Sequence, residues 1–305
     1  MTREATFFSR GRALPVAGVV LALLAGWYLA ALLGNWNGAA DALARAGAAP
    51  DVRGIAAATM AQERPVVPAP HQVLSELWRS IVGMPLGSKR SLLTHAWVTL
   101  SATLAGFAIG SLLGIALAIA IVHLRSVEAS LMPWIVASQT VPILAVAPII
   151  IVALGAAGLT GLLPKAVIAA YLCFFPVTVG MVKGLNAPDR IQRDLMRTYS
   201  ASRGQILARL RWPAGLPYLF ASLKIAVAAS LVGTIVAELP TGAQAGLGAR
   251  LLAGSYYGQT IQIWAALFAA AALSALLVQA IGLAEAATAR ALGARPAARV
   301  PRSAR

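Results

Sequence analysis

Few side chains of this 305-residue sequence are equipped for chemistry, and none are grouped for catalysis. His71, His95 and His123 are scattered and build no ligand set of the kind a metal site needs. The lone Cys173 excludes an intramolecular disulfide and a thiolate metal site, and inside an apolar run it reads as a small packed residue. Gly246-Leu-Gly248 leads into no phosphate loop and no Gly-x-x-x-x-Gly-Lys-Ser/Thr occurs, so the chain is not itself an ATPase. What remains is a handful of polar groups in apolar surroundings. Lys224 and Glu238 are 14 residues apart, about 21 Å along a helix at 1.5 Å per residue, too far to pair within it. Lys224 reads as an interfacial side chain snorkelling to water, a bridge to a neighbouring layer, or a solute contact. Glu238, followed by Pro240, Gly242, Gly246 and Gly248, reads either as the anchor of a flexible loop or as the lining of a gate. Gln139, Thr140 and Pro142 open a helix backbone midway, which is tolerated only against protein or along a water-filled path, and they are candidate path residues.

The densest polar chemistry lies between Lys183 and Pro217, which hold seven of the chain's 25 Lys and Arg residues. Asn186-Ala187-Pro188-Asp189 predicts a helix start, with a capping Asn, a Pro in the first turn and an acid at the positive end of the dipole. Ile191, Leu195, Met196 and Tyr199 then share one face at helical spacing, with Arg190, Arg193, Asp194 and Arg197 elsewhere. Ser200 to Ser202 reads as a turn. Arg203 to Leu210 reads as a second short helix grouping Ile206, Leu207 and Leu210, closed by Trp212-Pro213. A purely solvated loop has no use for such an apolar face, so this elbow reads as a docking element.

The elements around it are membrane spans. Hydrophobic residues make up 59% of the chain and charged residues 11%, against about half and a quarter in a soluble domain. Apolar runs near the 20 residues that span a bilayer fall at 14–34, 96–122, 131–154, 164–182, 218–239 and 262–284, predicting an all-α integral membrane protein of about six helices. The first run is too long for a cleaved signal core and reads as an anchor. With a cytoplasmic N-terminus, the segments 1–13, 123–130, 183–217 and 285–305 lie inside and carry sixteen of the 25 basic residues, as the positive-inside bias requires. Both termini are then cytoplasmic. The net charge of +15 follows from this pattern and from the Arg-rich tail 285–305, placed near anionic headgroups, and not from nucleic-acid binding. Residues 35–95 form an outer segment, an Ala- and Pro-rich stretch that reads as a loosely ordered linker or a short helix plus coil, followed by an amphipathic helix in which Val73, Leu74, Leu77, Trp78 and Ile81 recur at helical spacing. It is too small for a binding domain, so if the protein handles a solute, selectivity outside the membrane must come from another polypeptide.

At this point the residues resemble a family. The elbow is similar to the cytoplasmic signature of permease subunits of bacterial ATP-binding-cassette importers: Glu-Ala-Ala, three residues, Gly, nine residues, Ile, one residue, Leu-Pro. Here Asp194-Leu195-Met196, Ser200, Leu210 and Trp212-Pro213 occupy those positions with the spacing intact. Ser200 in place of Gly removes the residue best suited to a positive φ. The stretches Leu100 to Gly110, Thr140 to Pro148, Pro213 to Pro217, Leu223 to Ala226 and Val236 to Glu238, followed by Gly246-Leu-Gly248, resemble the nitrate, taurine and sulfonate importers over roughly residues 70 to 285.

That resemblance implies a permease core over 96–284 in the bacterial inner membrane, with the elbow at 183–217 as coupling helix. It implies a partner ATPase in two copies, which uses ATP and Mg while this chain binds no cofactor. It implies a periplasmic solute-binding protein and a second copy of the chain. Met196, Tyr199 and Ile206 would supply docking area, Arg197 and Arg203 register, and Asp194, Ser200 and Pro213 the shape of the elbow. The solute would be a sulfonate, nitrate, or a pyrimidine-like thiamine precursor. A self-sufficient secondary transporter or channel is the alternative, and it would need more intramembrane charge than Glu238 and Lys224 offer.

Overall fold

The computed structural model describes residues 10–47, 51–85, 87–88, 90–239 and 245–293. The readings of Pro240 and Gly242, and most of the basic tail, lie outside these residues. The elements are α1 (Arg10–Arg45), α2 (Val52–Ala61), α3 (Pro70–Ile81), α4 (Leu92–His123), α5 (Arg125–Ser138), α6 (Ile143–Ala156), α7 (Leu162–Leu185), α8 (Arg190–Thr198), α9 (Arg203–Ile206), a π-helical stretch (Leu207–Arg211), α10 (Trp212–Glu238), α11 (Leu247–Tyr256) and α12 (Thr260–Ala291). Among the described residues, five continuous runs are long and apolar enough to cross a bilayer: Leu14–Arg45, Leu92–His123, Leu162–Leu185, Arg203–Glu238 and Thr260–Ala291. The expected span 131–154 is instead a pair, α5 and α6, bent by 100°. Pro142 lacks an N–H and disfavours helical geometry at Val141, so the backbone breaks there. Each half has 14 residues, about 21 Å, and neither crosses a hydrocarbon core of about 30 Å alone.

Contacts divide the chain into two compact units, the first comprising Met1–Thr94 and Arg250–Ala269. Here the stretch between α1 and α3 holds the short helix α2. α1 does not stop at residue 34 but runs through Asn35 to Arg45. The buried Asn35 side chain accepts from the N–H groups of Val66 (2.7 Å) and Val67 (3.2 Å), and its amide donates to the Val67 and Ala31 carbonyls at 2.7 Å. These bonds satisfy backbone that Pro65 and Pro68 keep out of regular structure. Trp27 stacks on Trp264 and Phe268, with centroids 5.1 and 5.5 Å apart, and its Nε1–H donates to the Pro68 carbonyl. In α3 the buried face is Val73, Glu76 and Ser80, while Leu74 and Trp78 face outward.

The second unit comprises His95–Ala249 and Ala270–Arg305. An extensive interface joins α7 to α10, and small residues let the backbones approach. Gly106, Gly110 and Gly114, four residues apart on α4, face α7. A Cβ at Gly110 would lie 2.7 Å from the Ala170 carbonyl oxygen, and one at Gly114 2.8 Å from that of Phe174. On α7, Gly180 and Gly184 admit Ser222 and Tyr218 of α10 in the same way. Apolar burial does not drive association between helices in lipid, so close packing of this kind supplies it. Cys173 is fully buried in this core beside Ala118, Val177 and Met181.

Candidate functional site

Three polar arrangements stand out in the second unit. The first is a buried seam between α4 and α10. His95, Thr99 and Thr103 fall four residues apart on α4, as do Ser230, Thr234 and Glu238 on α10, so each set occupies one helix face. Thr103 Oγ1 lies 3.1 Å from Thr234 Oγ1, and Ser230 Oγ donates to the Thr103 carbonyl at 3.0 Å. At the end of the seam Glu238, 0% exposed, receives Lys165 Nζ of α7 at 3.2 Å, Thr99 Oγ1 at 3.0–3.1 Å and the Gly248 N–H at 2.9 Å. Lys165 also donates to the Ala245 carbonyl at 3.3 Å. The N–H groups of Gly246 and Leu247 donate to His95 Nδ1 (3.0 Å) and Thr99 Oγ1 (2.8 Å). Three consecutive amides at the start of α11 thus point into the seam, and the carboxylate meets the positive end of that helix. Gly246 has φ +131, a value that favours glycine, and a Cβ there would collide with the Glu238 carboxylate.

Glu238 therefore anchors the first turn of α11, with its lone pairs met by donors in the way a buried ion pair demands. Lys224 belongs to a different network, 2.5 Å from Glu285 of α12, with both side chains about one third exposed. The sequence reading missed Lys165, Glu285, His95 and Thr99. The available signal was the four-residue spacing of small polar residues in an otherwise apolar helix.

The second arrangement is the break between α5 and α6. Gln139, Thr140 and Pro142 sit together there, all exposed. Thr140 Oγ1 donates to the Ala137 carbonyl at 2.8 Å, Ser138 Oγ to Ile135 at 2.7 Å, and the Tyr171 hydroxyl of α7 donates to the Ser138 carbonyl. Side chains thus satisfy the carbonyls the break leaves open.

The third is the elbow. α7 ends with Asn186 as its C-cap, and α8 starts after Asp189, whose N–H donates to Gln192 Oε1 at 3.1 Å. The cap is therefore Asp189 and not Asn186, because Pro188 keeps the intervening residues out of helix. Ile191 and Tyr199 are 81% and 79% exposed and Leu195 is exposed as well, leaving an apolar stripe uncovered, while Met196 and Ile206 are half-buried. Asp194 lies 3.6 Å from Arg190 and 3.4 Å from Arg197, two pairs within α8. α8 closes with Ser200 N–H to the Arg197 carbonyl (2.8 Å) and Ala201 N–H to that of Met196 (3.0 Å), a Schellman turn. Ser200 has φ +54, so the turn keeps left-handed geometry although the residue is not glycine. Ser202 and Gln205 then form a reciprocal capping box at the start of α9.

The predicted stop at Trp212-Pro213 is not observed. The helix passes from α9 into the π-helical stretch, where the Trp212 N–H reaches back five residues to the Leu207 carbonyl, and continues as α10. The wider turn takes up Pro213, which has no N–H and would crowd the carbonyl four residues before it in an α-helix. Arg193, Arg197, Arg203 and Arg211 line a cavity of about 230 Å³ with His123 and Ile206. Pro213 is exposed and borders a separate cavity beside Glu285.

Residues 110–293 match the model of the family described as binding-protein-dependent transport system inner membrane component. A probable ABC transporter permease protein of Haemophilus influenzae is 31% identical over 200 residues, 63% of this chain and 80% of the relative. The riboflavin transport system permease protein RibX of Chloroflexus aurantiacus is 31% identical over 220 residues, 72% and 78% of the two chains. The formylaminopyrimidine transport permease protein ThiX of Halalkalibacterium halodurans is 35% identical over 161 residues, 53% and 62%.

Proposed function

Since this chain belongs to the binding-protein-dependent transport system inner membrane components, the permease subunits of ABC importers, we propose that two copies pair in the bacterial inner membrane and that each docks one ATPase subunit on its elbow. The observation that carries this reading is the elbow's continuity with the membrane core. Ile191, Leu195 and Tyr199 present apolar area that none of the described residues covers, and the Schellman turn fixes α8 to a helical rod running from Arg203 to Glu238. ATP and Mg are used in the partner ATPase. Met196, Tyr199 and Ile206 supply docking area, Arg197 and Arg203 set register, and Asp194, Ser200 and Pro213 shape the elbow.

The N- and C-termini are cytoplasmic in this reading, as the distribution of Lys and Arg requires. Gln139, Thr140 and Pro142 line the solute path at the helix break. Glu238 holds the outer loop in place, and Lys224 braces α10 against α12. The solute is a small organic compound or anion delivered by a periplasmic binding protein. The riboflavin and formylaminopyrimidine relatives favour a nitrogen heterocycle, beside sulfonates, taurine and nitrate. Proteoliposomes holding the chain with its ATPase and binding protein should take up solute only with hydrolysable ATP inside. Uptake that persists without ATP and follows an ion gradient would overturn the assignment. A complex mass with one permease copy per two ATPases would overturn the pairing.

A further inference from the structure

In the first unit, α3, the turn before α4, and the α11–α12 junction enclose a polar cavity of about 420 Å³. Arg79, Arg90 and Arg250 line it with Glu76, Tyr257 and Gln262. Three guanidiniums thus face one carboxylate, and that carboxylate is already committed: Glu76 Oε2 takes Arg79 at 2.6 Å and Oε1 takes the Ser80 hydroxyl at 2.9 Å. Arg250 Nε and Gln262 Oε1 are buried with no hydrogen-bond partner among the described residues. Burial first, and then the neighbouring Arg90 and Arg79 cations, push the Arg250 guanidinium below its ordinary range, with Glu76 opposing. A buried polar group without a partner is costly, and a cluster of like charges adds to that cost.

We propose that this cavity is a binding site for an oxyanion, a carboxylate, sulfonate or phosphate group carried on a small molecule or a lipid headgroup. Guanidinium forks match the geometry of such groups and bind them in pairs of hydrogen bonds. The volume exceeds that of a bare anion and falls within the range of small-molecule sites, about 300–1,000 Å³, so Tyr257 and Gln262 remain to contact the body that bears the charge. Glu76, Arg79 and Arg90 precede the residues matched by the family model, whereas Arg250 and Gln262 lie within them. The site is therefore assembled from both parts of the chain. The inference does not rest on the transport reading, because it concerns counter-charge in one unit of the fold.

The test uses the full chain in detergent at constant ionic strength, with chloride replaced by ethanesulfonate or inorganic phosphate. In parallel the chain is placed in nanodiscs of phosphatidylcholine alone or with phosphatidylglycerol. The thermal midpoint is followed for wild type, Arg250→Gln, Arg90→Gln and the remote control Arg45→Gln. A saturable rise with a soluble anion, weakened at least about tenfold in both site variants and unchanged in the control, supports the site and identifies a free anion as its occupant. A rise only with phosphatidylglycerol, lost in the same variants, supports it with a headgroup as occupant. Without added anion, Arg250→Gln should be no less stable than wild type, since it removes an uncompensated cation, and Arg250→Lys should bind with intermediate strength. Arg90 is exposed, so Arg90→Gln leaves the fold intact and keeps the test decisive. Absence of any anion-dependent rise, or the same rise in wild type and both variants, would overturn the proposal.

Discussion

Removing one partner of the Lys165–Glu238 pair exposes how much the seam depends on charge balance. In Glu238→Gln the side chain keeps an acceptor for the Gly248 N–H, but Lys165, only 9% exposed, loses its counter-charge and keeps the Ala245 carbonyl as an acceptor. Breaking a buried pair from one side costs about 3–5 kcal/mol. The lower end applies here because that carbonyl remains, and at about 2 °C per kcal/mol for a chain of this size the thermal midpoint should fall by about 6 °C. Lys165→Met leaves the carboxylate its Thr99 and Gly248 donors and free to take up a proton, so about 2 kcal/mol is expected. The double variant Lys165→Met with Glu238→Gln carries no unpaired charge and should lose only about 2 kcal/mol, an interaction of about 3 kcal/mol between the sites. Fluorescence-detected thermal unfolding of the four proteins in one detergent measures the cycle. Losses that add within about 0.5 kcal/mol would refute the seam as a coupled network.

Four further outcomes follow from the same geometry. Ser200→Gly should stabilise the elbow by about 1 kcal/mol, because a non-glycine residue at φ +54 is strained, and slower amide exchange in α8 would register it; faster exchange would contradict the turn geometry. Tyr199→Asp or Met196→Asp should cost about 2 kcal/mol or more of ATPase affinity, so the ATPase is lost on purification while the permease stays inserted; normal co-purification refutes docking there. Gly110→Leu should prevent α4 from closing on α7 and abolish folded protein in detergent, whereas Leu112→Ala, on an exposed position of the same helix, should not. In a Cys173→Ala background, a cysteine replacing Tyr257 should react with an impermeant thiol reagent from outside, and one replacing Arg203 only after the membrane is breached; the reverse would overturn the orientation.

Periodicity and composition made the helices legible, because each run is longer than a bilayer is thick and each amphipathic stretch keeps its period. The elbow was legible for the same reason, since Ile191, Leu195 and Tyr199 depend only on local spacing. What escaped were pairings across distance. Lys165 stands 73 residues from Glu238, and a single Lys at the start of an apolar run looks like an interfacial residue until its partner is located. Asn35 looked like the end of a span, since nothing local indicates that its amide caps the backbone at Val66 and Val67. The stretch from Glu238 to Trp264 carries Tyr, Gln and Thr groups and a single basic residue, Arg250. Folding brings Arg79 and Arg90 from α3 and the turn before α4 to the side of Arg250, and no reading of that stretch alone contains them.

The misplaced stop at Trp212-Pro213 bears most directly on the proposed mechanism. Had a proline ended the helix there, the elbow would hang on a loop, and a push from an ATPase would dissipate in loop motion. Instead the π-helical stretch passes Pro213 without a break, and Arg203–Glu238 is a single run of 36 residues, about 54 Å at 1.5 Å per residue. One end carries α8 through the Schellman turn and capping box. The other end is Glu238, which holds α4 through Thr99, α7 through Lys165 and the first turn of α11 through Gly248. Along its length α10 packs on the glycine face of α7 formed by Gly180 and Gly184, so displacement of the rod moves α7 with it. The α5–α6 break is tied to α7 by the Tyr171 hydroxyl on the Ser138 carbonyl. A movement imposed on the elbow therefore has a continuous covalent and hydrogen-bonded route both to the start of α11 and to Gln139, Thr140 and Pro142, which the proposed function assigns to the solute path.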